Sequence, residues 1–363
     1  MSTILDKQVQ CPIDGRHTIA ESHLQRHIKR CNTLPKPELL PYYKANVNAP
    51  SLNKTAQCST TDKFELRQLS KDEIQTWVSK FKTLFSNLPI PKEEIYHHPA
   101  MDEREAECTN KKNPVQQASI LGHMGQLGLF NNKPAVFLEF GAGRAELSRY
   151  VQRCSNQPNW YILIDRGSAR LKHDSRIVKD MKERGFPEPS ITRCKIDIKD
   201  FDLGYYLDRK PFEGPIHAYS KHLCGAATDL TLSCLNQWKT DTIFIALCCH
   251  HRCQWHLLNP TTMSILQEWG IDNPHAFQVL CQMTGWAINS LRPNITELGG
   301  ADTHFSGMCH KDRTEIGLMC KHIINYARCL TLSRLGYNAW LVKYVSSNAT
   351  LENVALIATR KEQ

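Results

Sequence analysis

From residue 135 to the end of the chain, short apolar runs alternate with helix-like stretches, and this alternation constrains the fold more than any other feature. "AVFLEFG" reads as a strand and "RAELSRYVQRC" as a helix; "WYILIDR" is a second strand, followed by a helix near residues 168–184. "ITRCKIDI" is a third strand, and "IHAYSKHLCG" a fourth that runs into the helix "AATDLTLSCLNQW". "DTIFIALCC" is a fifth, and a long helix, "RTEIGLMCKHIINYARCLTLSRLG", precedes a closing pair, "NAWLVKYV" and "VALIATR". Strands separated by helices pair in parallel, with the helices covering the sheet. The expected class is therefore α/β.

The first part of that sheet carries a ligand signature. In "FLEFGAGRAELSRYV", Gly141 and Gly143 stand between a strand and a helix, where glycine permits a tight turn and a close backbone approach. A dinucleotide fingerprint would need a third glycine where this chain has Glu146, and that carboxylate disfavours NAD. Glu139 suits a cofactor that carries an ammonium and a sulfonium. Asp165 ends the second strand and can accept from both hydroxyls of a ribose, while Asp197 and Ile198 end the third and suit an adenine edge. These residues point to S-adenosylmethionine on a Rossmann-like class I methyltransferase sheet.

At the carboxyl end of the fifth strand, "ALCCHHRCQW" lies on the edge where doubly wound sheets hold ligands, and "SKHLCG" ends the fourth strand on the same edge. Three readings are open. In the preferred one, Lys221, His222, Cys249, His250 and His251 form a catalytic edge that positions an RNA hydroxyl, a poor acid, and helps remove its proton. In the second, Cys249, Cys253 and a histidine coordinate zinc, although ligands so close along an extended chain make a poor tetrahedron. In the third, the cysteines are small apolar filling between strand and helix.

Two further zones precede the sheet. Residues 36–110 form a polar linker in which "SKDEIQTWVSKFKTLFSNL" sets Ile74, Trp77, Val78, Phe81, Leu84 and Phe85 at helical spacing behind a Ser70–Glu73 capping box. Residues 1–35 hold Cys11, His17, His23, His27 and Cys31. His27 and Cys31 are four apart and share a helix face, so with Cys11 and His17 they complete a two-Cys, two-His zinc tetrahedron, with His23 as a rival. So short a segment has little core, and zinc would supply much of its folding free energy. Arg16, Arg26, Lys29 and Arg30 would put positive charge on this finger, suited to backbone phosphates, and Lys321 and Arg328 on the long helix raise the same question.

"KHLCGAATDL", "ALCCHHRCQW", "FLEFGAGRAELSRYV" and "LIDR" together closely resemble the eukaryotic tRNA 2′-O-methyltransferases that modify the fourth nucleotide of the acceptor stem, over roughly residues 110–360. The resemblance implies methyl transfer from S-adenosylmethionine to a ribose 2′ oxygen of tRNA, by a domain spanning residues 111–363. The N-terminal stretch resembles the small CHHC zinc finger of RNA-associated proteins, a pattern that selects His17 and His27 and leaves out His23. Members of this family often carry a further Cys/His-rich finger upstream, for which this chain begins too late. The competing expectation is a zinc-finger RNA-binding protein with an inactive Rossmann scaffold. A net charge of +9 agrees with a polyanionic partner. No apolar run approaches the length of a membrane span, and 15 cysteines without a secretory signal indicate a reducing compartment, cytoplasm or nucleus. Nothing in the sequence names a protein partner.

Overall fold

A computed structural model describes residues 7–12, 17–28, 40–50, 64–131, 133–238, 240–287 and 304–361. An antiparallel hairpin, β1 (Gln8–Gln10) and β2 (Thr18–Ala20), leads into the short helix α1 (Leu24–Ile28). Helix α2 (Lys71–Ser86), edge strand β3 (Lys92–Glu93) and helices α3 (Asp102–Glu107) and α4 (Lys112–Gln126) follow. The alternating region comprises β4 (Val136–Phe140), α5 (Glu146–Arg153), β5 (Trp160–Asp165), α6 (Asp174–Glu183), β6 (Ser190–Lys195), α7 (Gly204–Leu207), β7 (Ile216–Cys224), α8 (Ala226–Asn236) and β8 (Thr242–Cys248). Helices α9 (Pro260–Glu268), α10 (Pro274–Thr284) and α11 (His310–Arg334) precede the final strands β9 (Tyr337–Lys343) and β10 (Val354–Arg360).

Eight strands make one sheet in the order β3-β9-β10-β8-β7-β4-β5-β6. All neighbours run parallel except β10, which is antiparallel to both β8 and β9. The order reverses at β4, where one wing continues through β5 and β6 and the other through β7 and β8. That reversal opens a crevice at the carboxyl ends of the strands.

Strands β4 and β8 are buried along their whole length, as parallel strands covered on both faces must be. Alternation divides their side chains between two cores. Val136, Leu138, Phe140, Ile243 and Ile245 pack on one face, whereas Phe137, Tyr161, Tyr219 and Phe244 pack on the other. A third core joins α2, α9, α10 and α11 through Ile74, Val78, Phe81, Ile265, Leu280 and Ile323. Helix α2 begins as its sequence predicts: the Glu73 amide donates to Ser70 Oγ at 3.2 Å, and the Ser70 amide to Glu73 Oε2 at 2.8 Å.

The long helix answers one question left by the sequence. Lys321 and Arg328 are 5% and 0% exposed, so neither is a surface cation available to phosphate. Lys321 donates to the Ala287 carbonyl and pairs with Glu352 at 2.7 Å. Arg328 pairs with Asp229 at 2.5 Å and also reaches the Gly225 carbonyl and Cys253 Sγ. It thus ties α11 to the loops that leave β7 and β8.

Candidate active site and zinc finger

The crevice is a cleft of about 590 Å³ walled by Gly141, Asp165, Asp197, Ile198, His222 and His251, among others. Gly141 has a φ of +69°, and a Cβ there would lie 2.8 Å from the His222 carbonyl oxygen. Only glycine fits between the two strand ends. The next turn is braced by Asp165, whose Oδ2 accepts from the Gly143 amide at 2.8 Å and whose Oδ1 accepts from the Gly167 amide at 2.6 Å. Arg193 holds the Gly143 carbonyl at 2.9 Å while clamped by Asp174. Each Asp165 oxygen therefore has one backbone donor and keeps a lone pair for a ribose hydroxyl. The donor set fits S-adenosylmethionine at its ribose.

Asp197 and Ile198 lie just past β6 rather than ending it. The Asp197 side chain accepts from the Lys199 amide at 3.0 Å and starts a tight 3-10 turn over Ile198–Asp200. That turn is gripped from outside by residues 40–50, a contact not anticipated from the sequence. Buried Asn48 donates to the carbonyls of Ile198 at 2.6 Å and Phe201 at 2.8 Å, and the Asn46 amide donates to Asp200 Oδ1 at 2.7 Å. The wall beside the expected adenine position thus depends on a segment that reads as linker.

Two expected cofactor residues stand elsewhere. Gly143, with φ at +47°, is part of the braced turn and not of the cleft wall. Glu139 sits on the opposite side of β4 from the Val136–Leu138–Phe140 core. There it is buried against α5, accepting from Ser148 Oγ, which is itself 2.6 Å from the Tyr219 hydroxyl. Burial pushes its carboxyl up to about 8, opposed by the Ser148 hydrogen bond and the Arg193 charge. Strand alternation is the reason: residues 139 and 140 point to opposite faces.

The expected catalytic edge also divides. His222 and His251 face the cleft. Lys221 points the other way, to Asn113 on α4, and burial lowers its pKa. His250 is a clear correction. Cys249 adopts a left-handed φ of +54°, which turns the chain so that His250 enters a separate cavity of about 410 Å³ under α11. Its Nε2 lies 2.6 Å from Asn325 Oδ1, and burial, reinforced by Arg328, drives its pKa well down. Cys253 is taken by Arg328 and stands apart from Cys224, Cys248 and Cys249. The cleft wall adds Arg166, Lys199, Arg252 and Gln254, cationic or polar residues that directly follow strand ends or cluster residues and could have been read from that position.

At the N-terminus, Cys11, His17 and His27 converge within 4.8 Å of one another. Cys11 Sγ is 3.2 Å and His17 Nε2 3.1 Å from His27 Nε2. Two imidazole nitrogens and a thiol aimed at one point suit a metal better than they suit one another. His23 is exposed and outside this group. Cys31, Arg16, Lys29 and Arg30 lie outside the described residues.

The strand order, the glycine turn and the strand-end acids define a Rossmann-like methyltransferase carrying an N-terminal zinc finger. The sequence matches the family model "Methyltransferase TRM13" over residues 115–359 and "U11-48K-like CHHC zinc finger" over residues 8–32. It is 51% identical over 356 residues to the "tRNA:m(4)X modification enzyme TRM13" of Schizosaccharomyces pombe, covering 98% of this chain and 96% of that protein. Proteins of the same description from Yarrowia lipolytica and Saccharomyces cerevisiae are 34% and 28% identical, each over 98% of this chain and over 82% and 85% of their own lengths. This chain belongs to the TRM13 methyltransferase family. Among solved structures, the plantazolicin methyltransferase BpumL in complex with SAH aligns with a TM-score of 0.29 and 11% identity, over 82% of this chain and 100% of that one, too weak a likeness to argue from.

Proposed function

We propose that this chain methylates tRNA, transferring the methyl group of S-adenosylmethionine to the ribose 2′-hydroxyl of the fourth nucleotide in the acceptor stem. The observation that carries the reading is 51% identity across almost the whole chain to a protein described as a tRNA:m(4)X modification enzyme. The cleft supports it. When bound, S-adenosylmethionine supplies an electrophilic methyl on a sulfonium. Asp165 would hold its ribose, and Ile198 with the Asp197 turn would flank its adenine.

A ribose hydroxyl needs a proton acceptor as its oxygen attacks. His222 and His251 are both exposed imidazoles on the cleft wall, and His251, with Arg252 beside it, is the one not gathered with the cysteines. Arg166, Lys199 and Arg252 suit the phosphates flanking a reacting nucleotide, contacts that position RNA without reading its bases. On this reading His251→Ala lowers turnover by roughly 10²-fold, within the range for a lost acid–base group, and leaves cofactor affinity in place.

Nucleoside mass spectrometry of tRNA incubated with the full chain and S-adenosylmethionine tests the proposal. The expected product is a 2′-O-methyl nucleoside that maps to the fourth position. A mark on a base, or a ribose mark elsewhere, would overturn it.

A further inference from the structure

Strands β7 and β8 are parallel neighbours, and their ends bring four soft donors together. Cys224 and Cys248 are direct register partners, and a register shift between Ser220 and Leu223 swings His222 toward both. His222 Nε2 is 3.4 Å from Cys224 Sγ, and its Nδ1 is 3.6 Å from Cys248 Sγ. Cys249 follows in the left-handed conformation, which an L-residue with a side chain rarely adopts and which clusters at functional sites. The donor atoms of His222, Cys224, Cys248 and Cys249 all lie within 4.8 Å of one another.

We propose that these four residues form a second zinc site, of the Cys3His type, distinct from the N-terminal finger. Zinc holds thiolate sulfur at about 2.3 Å and imidazole nitrogen at about 2.0–2.1 Å in a tetrahedron, so its donors stand roughly 3.5–3.8 Å apart. His222 can give the ion only one of its two ring nitrogens, so one of the two distances above belongs to the ligand shell. With one donor atom per residue all four lie within 4.8 Å, and a modest contraction reaches that spacing. Crowding along one extended segment, the objection to a site built from Cys249 and Cys253, does not apply. Two donors come from β7 and two from the last residue of β8 and the one after it, and Cys253 is not needed. Soft thiolates select zinc over magnesium or calcium.

Four protein ligands leave no open position, so the metal has a structural role. It would pin the ends of β7 and β8 beside the cleft, where His222 and Cys224 line the wall. Binding deprotonates the three thiols and releases their protons to solvent, with no change of oxidation state. Three thiolates, a neutral imidazole and one divalent cation sum to a single negative charge.

The experiment is metal analysis of the full chain, purified without chelator, by inductively coupled plasma mass spectrometry. Wild type should carry two zinc ions. Cys11→Ser, which removes the finger's ion, should retain one, and Cys224→Ser or Cys249→Ser should also retain one. Cys11→Ser combined with Cys249→Ser should retain none, whereas Cys253→Ser should keep two. Should a cluster variant fail to fold, the Cys11→Ser chain alone decides the matter: loaded with cobalt, it should show the tetrahedral ligand-field bands and thiolate charge-transfer bands of a Cys3His site. One zinc in wild type, lost entirely with Cys11→Ser, overturns the proposal. So does a Cys224–Cys248 disulfide detected by mass in the freshly purified protein.

Discussion

The protein gathers cysteine and histidine twice, and the two clusters are built in opposite ways. Cys11, His17 and His27 stand on a hairpin of three-residue strands and a five-residue helix in which, among the described residues, only Cys11 is buried. Such a segment buries too little apolar surface to offset the entropy of ordering its chain. His222, Cys224, Cys248 and Cys249 instead end two strands of a sheet covered on both faces. In the finger the ion has to make the fold; at the cleft the fold has already brought the donors together.

The largest expected effect follows from that contrast. Binding of structural zinc to small fingers contributes about 10–16 kcal/mol of apparent free energy, almost all of it also folding free energy. In the full chain His27→Ala should release one zinc and leave residues 7–28 open to limited proteolysis, while the main thermal transition stays in place. Loss of the metal on His23→Ala with retention on His27→Ala would reverse the ligand assignment. A fall in the main transition on His27→Ala would break the comparison itself, by showing that the sheet leans on the finger.

The cleft should answer instead to changes in the packing beneath it. Arg328 and Asp229 are both 0% exposed, and the guanidinium also holds the Gly225 carbonyl and Cys253. Removing one partner of a buried pair strands the other charge, at a cost of about 3–5 kcal/mol. Arg328→Met should lower the denaturant midpoint of the main transition accordingly. Pairing it with Asp229→Leu should recover much of the loss, because two apolar side chains then replace two charges. An unchanged midpoint for the single variant would mean that α11 does not hold these loops.

Cofactor affinity gives a smaller effect. Asp165→Ala removes a charged acceptor from the ribose position, worth about 1.5–3 kcal/mol, or roughly 10- to 100-fold in affinity. Because Asp165 also braces the Gly143 and Gly167 amides, Asp165→Asn is the sharper variant: it can keep one of those hydrogen bonds and loses the charge. Calorimetric titration with S-adenosylmethionine should rank wild type above Asn and Asn above Ala. Equal affinities would remove Asp165 from the site.

Much of this was legible in the sequence, and what escaped did so for physical reasons. The sheet was readable because strand and helix periodicities alternate without interruption from Val136 to Cys248. Gly141 and Asp165 were placed by their distance from strand ends. Glu139 was misplaced because a motif spacing does not say which face of the strand an odd position takes. His250 was misplaced because one left-handed residue, Cys249, redirects the chain. The sequence put the four cluster residues on one sheet edge, but not as one ligand set, because which of the soft donors there meet is decided by the pairing of β7 with β8 and the register shift between Ser220 and Leu223. Lys321 and Arg328 stayed undecided between surface and buried cations because their burial depends on Glu352 and Asp229, partners distant in sequence.

The last effect is read against pH and concerns the carboxyl under the glycine turn. Burial raises Glu139 from its ordinary 4.5 to about 8, so at neutral pH it is mainly protonated, hydrogen-bonded to Ser148. A group whose pKa is higher folded than unfolded favours the folded state most below its unfolded value. Between those two values the native state binds more protons than the unfolded one, so this contribution to stability declines as pH rises from 4.5 toward about 8, then levels off. Glu139→Gln keeps an acceptor for Ser148 and abolishes the titration. Its stability should match wild type near the acid end of this window and exceed it increasingly toward pH 8. The comparison is the difference between the urea midpoints of the two proteins across that range, on a Cys11→Ser background that removes the finger's metal, so that any loss of metal from the cleft cluster with pH is common to both and cancels. Parallel curves would show that Glu139 is ionised in the folded protein, and would restore it as a carboxylate available to the ammonium group of the cofactor.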